Sequence, residues 1–142
     1  MCIMIYIASD QPLPTAAWDP SRRRFQLTEL SEGDEPVRRQ FSKPCVYLAR
    51  SHEGCGCGFQ YGEYEEDDED DTDLTAKRVS RRQLADFLTA ALQKQPEIEL
   101  FACWDGDQAA PAEHRERLRP ADLVRERTFF REKELLVVSN GR

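Results

Sequence analysis

Residues 79–104 read VSRRQLADFLTAALQKQPEIELFACW, and the way this stretch changes period decides the fold. Leu84, Phe87, Leu88, Ala91 and Leu92 recur at i, i+3, i+4, i+7 and i+8, which draws one apolar stripe along a helix. Ser80 followed by Gln83 fits a capping box, with Val79 and Leu84 at staple spacing, and Pro96 ends the run. The sequence therefore predicts a main helix over 79–95. Directly after it, EIELFACW places Ile98, Leu100, Ala102 and Trp104 on one side of a strand closed by Asp105-Gly106.

Working outward, CIMIYIA (2–8), PCVYLAR (44–50) and KELLVVS (133–139) are apolar on both parities, as strands covered on both faces are. FQLTEL (25–30) alternates well enough for a half-exposed strand, and FQYGEY (59–64) is a candidate return strand. SEGDEPVRRQFSK reads as a short capped helix, and another short helix is expected near 120–125, behind Pro120. That gives five or six strands with one main helix and one or two short ones, too few helices to cover both faces of a parallel sheet. The expected class is α+β, a mixed or antiparallel sheet in a single domain over 1–142, with a small three-layer α/β fold as the alternative.

The net charge of −7 is a local property. Nine of the eleven residues 63–73, EYEEDDEDDTD, are acidic, and outside them 18 acids face 20 bases. The run predicts a solvated acidic surface loop, paired in part with KRVSRR beside it. It lacks the spaced carboxylates of a calcium loop. No basic face is concentrated enough for nucleic acid, and no stretch nears the ~20 apolar residues of a membrane span. The opening MCIMIYIAS lacks the basic start of a secretion signal. Five cysteines, an odd number set mostly in apolar runs, suit free thiols in a reducing cytoplasm.

Chemistry concentrates in SHEGCGCGF, residues 51–59. His52, Cys55 and Cys57 supply one imidazole and two thiolates, the ligand types of zinc, with Cys2, Cys45, Cys103 or water for the fourth position. The same residues fit thiol chemistry, with Cys55 and Cys57 as redox partners or nucleophile and His52 as base. Gly54, Gly56 and Gly58 could instead nest an anion, although the dinucleotide fingerprint is absent and the acids nearby would repel one. Cys2 would become an N-terminal nucleophile only after loss of Met1, and is read as a strand residue. Against all of these stands a glycine-rich bulge holding buried thiols, in a non-catalytic protein that binds a protein partner or self-associates.

Overall fold

The computed structural model describes residues 2–22, 24–60, 71–125 and 130–140, with the backbone alone over 71–73. Its strands are β1 (Ile3–Ser9), β2 (Gln26–Glu29), β3 (Cys45–Arg50), β4 (Glu97–Trp104), β5 (His114–Leu118) and β6 (Glu134–Ser139). They form one sheet in the order β2-β3-β1-β4-β6-β5, in which every pair is antiparallel except β5–β6. One long helix, α1 (Asp71–Ala91), and three short 3-10 segments at Glu32–Gln40, Gly56–Phe59 and Pro120–Val124 complete an α+β architecture. Among the described residues only one strand pair is parallel, so the three-layer α/β alternative falls away. Among the described residues no helix is long and apolar enough to cross a membrane.

The strands that are apolar on both parities are sandwiched, and the two parities serve two cores. Ile3, Ile5 and Ile7 of β1 join Ile98, Leu100 and Ala102 of β4 beneath Leu84, Leu88 and Leu92 of the helical stripe. Phe59, Leu123 and Phe130 fill the space between the sheet, α1 and the short turns. On the opposite face Tyr6, Ala8, Phe101 and Cys103 pack under Val37 of the Glu32–Gln40 segment. Each fully buried Leu or Ile contributes about 1.5–3 kcal/mol relative to exposure, which favours apolar residues on both parities of the covered strands.

The structure departs from the sequence reading in three places. First, α1 runs Asp71–Ala91 against the expected 79–95, so Ser80 and Gln83 are interior residues rather than a cap, and the helix ends before residue 95. Their polar atoms bind other elements: Gln83 Oε1 accepts the Phe25 N–H (3.0 Å) and Ser80 Oγ meets His52. Val79, the expected staple, is solvent-exposed. Second, residues 56–59 turn as a 3-10 segment, while the candidate return strand lies, over 61–64, outside the described residues. Third, β5 is an edge strand of sequence HRERL, whose exposed middle leaves no apolar alternation to read. The expected acidic loop lies, over 63–70, outside the described residues, and Asp71–Asp73 belong to the first turn of α1.

Candidate metal centre

The site is built where β3 ends. Ser51 is fully buried, and its hydroxyl organises the loop that follows. It donates to the Cys55 carbonyl (2.6 Å) and accepts the N–H groups of Gly58 (3.1 Å) and Glu53 (3.2 Å). The Ser51 N–H also donates to the Cys55 carbonyl (2.9 Å), closing the loop on itself. Gly54 takes φ +86, a backbone open to glycine at little cost, and the Trp18 ring covers it. Arg50 donates to the Gly54 carbonyl (3.0 Å) with its guanidinium 5.7 Å from the Trp18 ring centre.

Beyond extended Cys55 the chain turns down onto β1. A Cβ on Gly56 would lie 2.8 Å from the Ile3 carbonyl oxygen and 2.6 Å from Ile5 Cγ1. A Cβ on Gly58 would lie 2.2 Å from Ser51 Oγ and 2.7 Å from His52 Cε1. These two glycines are therefore required by close approach of neighbouring groups. The result presses Cys57 against the start of β1, where the Ile3 N–H donates to Cys57 Sγ (3.4 Å).

That approach brings Cys2, the residue before β1, to the loop. The Sγ atoms of Cys2, Cys55 and Cys57 all lie within 4.8 Å of one another, and the three could hold a metal ion. Cys2 is exposed, whereas Cys55 and Cys57 are half-buried. Tetrahedral zinc with ~2.3 Å bonds to sulfur sets thiolates ~3.8 Å apart, so a modest contraction would close the three onto one ion. Burial pushes the Cys55 thiol up to about 12, helped by hydrogen bonds with the Cys57 and Cys2 thiols and opposed by the Cys57 backbone N–H. Without a cation the cluster therefore retains a proton at its centre. A metal would displace it.

The other residues singled out in the sequence lie elsewhere. His52 turns toward α1, with Nδ1 2.7 Å from Ser80 Oγ and its backbone N–H donating to the same oxygen (3.2 Å). The imidazole thus ties the loop to the helix and stands apart from the three sulfurs. Cys45 pairs with Ser9, at the far end of β1 from Cys2. Cys103 lies on the opposite face of the sheet, its thiol pushed up to about 12 by burial and then by Asp107, Asp105 and Asp34. All five cysteines are free thiols.

Three residues essential to this geometry escape sequence reading. Ser51 carried a usable signal, because a serine after a strand and before a Gly-rich turn is a common hydroxyl-to-backbone turn former. Trp18, from a proline-rich loop, carried none. Arg81, one of the bases expected to pair with the acidic run, is fully buried. It donates to the Phe59 carbonyl through Nε and to the Leu123 carbonyl through Nη1 (3.1 Å), with Phe130 5.3 Å away. Compared with family models, curated proteins and solved structures, the chain matches none.

Proposed function

We propose that the protein binds a thiophilic metal ion, zinc in the first instance, through the thiolates of Cys2, Cys55 and Cys57. The observation that carries this reading is the convergence of three sulfurs from two chain segments within 4.8 Å. Thiolate ligands favour zinc and cuprous ions over hard cations such as magnesium or calcium. Three protein ligands leave a fourth position for water or an incoming ligand, the arrangement of zinc sites that act on something rather than only brace a fold. The Ile3 N–H on Cys57 Sγ is an outer-sphere contact of the kind that orients a ligating side chain. His52 serves as a positioning residue, holding the loop to α1 through Ser80.

Cobalt(II) is the direct probe, since thiolate coordination gives an intense near-ultraviolet charge-transfer band. One equivalent should saturate the band, and Cys2→Ser, Cys55→Ser and Cys57→Ser should each weaken binding at least tenfold. Cys45→Ser, Cys103→Ser and His52→Ala should leave the stoichiometry intact. Absence of a thiolate band, or a band that survives Cys55→Ser unchanged, overturns the reading.

A further inference from the structure

The three sulfurs differ in their access to solvent. Cys2 lies open to water, whereas Cys55 and Cys57 are half-buried in the loop. Peroxide meets the exposed sulfur first, because oxidation follows exposure as well as thiolate character. Cys55 is hydrogen-bonded through its side chain to both Cys2 and Cys57, and its sulfur lies within 4.8 Å of the Cys2 sulfur, within reach of whatever forms there. Cys2 reaches the loop from a separate segment, directly ahead of β1.

We infer that the cluster is a peroxide-responsive switch in which Cys2 is oxidised and Cys55 resolves it, forming a Cys2–Cys55 disulfide that expels the metal. The expulsion rests on the three-thiolate site proposed above, while the disulfide chemistry stands without it. In the first step the Cys2 thiolate attacks hydrogen peroxide. An S–O bond forms, the O–O bond breaks, and the leaving hydroxide takes a proton to become water. In the second step the Cys55 sulfur attacks the Cys2 sulfenic acid. The S–S bond forms, the S–O bond breaks, and a second water leaves with the Cys55 proton. Two thiols and one peroxide give one disulfide and two waters, with two electrons passing from sulfur to oxygen. Two of the three ligands are then lost to the ion.

Cys45 and Cys103, remote from the cluster, provide internal controls.

The test is intact-mass analysis with peptide mapping of metal-free protein after a small excess of hydrogen peroxide. The expected product is lighter by two hydrogens, links the Cys2 and Cys55 peptides, retains three titratable thiols and reverts with a thiol reductant. Cys57→Ser should still form the bridge although it binds cobalt at least tenfold more weakly, and zinc-loaded wild type should release its ion in step with bridge formation. A Cys2 that gains oxygen while Cys55 stays free, or a mass loss that persists in Cys2→Ser, overturns the switch. A bridge that forms in protein giving no cobalt band sinks the metal site alone. A cobalt band without the bridge sinks the switch alone.

Discussion

Two polar clusters flank β1, one on each face of the sheet, and they differ in what they leave over. On the face covered by the Glu32–Gln40 segment, the Tyr6 hydroxyl donates to Asp34 Oδ1 (2.6 Å) and accepts from Gln108 Nε2 (3.1 Å). The other Asp34 oxygen accepts the Ser31 N–H (3.0 Å) and hydroxyl (2.8 Å). Gln108 Nε2 also donates to Asp105 (2.9 Å), and its Oε1 accepts the Gly106 N–H (2.8 Å). Burial first, and the bond to Asp34 second, hold the Tyr6 phenol un-ionised. In that cluster the buried donors and acceptors are matched, and its effect is to fasten two loops to the sheet. On the other face three thiols meet with only weak bonds among them, one open to water. Matched polar groups fix a structure. Coordinating capacity left unspent near solvent is what chemistry can use.

The largest test of this contrast lies where the loop of the open cluster ends, at Phe59. Arg81→Ala strands the Phe59 and Leu123 carbonyls and empties a large buried volume, so it should cost about 3–5 kcal/mol in urea unfolding. A smaller loss than that of Tyr6→Phe would break the view that the thiols sit on a rigidly held loop. Gly58→Ala drives a Cβ into Ser51 Oγ and should cost about 1–3 kcal/mol, with cobalt affinity falling alongside stability. Tyr6→Phe should cost about 1–2 kcal/mol while leaving the cobalt titration unchanged, which separates the two faces directly.

The smallest effect is the response to pH. Cys55 and Cys103 both titrate near 12 when folded against an ordinary 9.0, so the unfolded chain gives up protons that the folded chain keeps. Their contribution is complete below about pH 9 and is lost as pH rises toward 12. Denaturant midpoints of the metal-free protein should fall across that window, less steeply in Cys103→Ala. Metal binding has the opposite sign at the open cluster, because the ion must displace protons. Cobalt affinity should strengthen as pH rises through neutrality.

Much of the fold was legible because burial on both faces writes itself into both parities. β1, β3 and β6 appear as runs apolar on both parities, and β4 as an alternation with Ile98, Leu100, Ala102 and Trp104 on one side. β5 escaped because an exposed edge strand needs no apolar parity. The helix start was misread because Ser80 and Gln83 match a cap in type and spacing, while the contacts that claim them, His52 and Phe25, are tertiary. Half of the candidate site was legible for a similar reason. Cys55 and Cys57 are local to one turn, and their convergence follows from chain geometry. Cys2 belongs to the cluster only through the docking of a distant strand, and composition gave no reason to prefer it to Cys45 or Cys103.

The place of β1 in the sheet also sets what the sulfur cluster depends on. It sits between β3 and β4, and the registers Ile5↔Ala49 and Ile3↔Trp104 join residues far apart in the chain. Closing loops that long is entropically costly until strand pairing repays it. Cys2 directly precedes β1, and Cys55 and Cys57 follow β3, so the three sulfurs meet only in a chain whose β1 and β3 have paired.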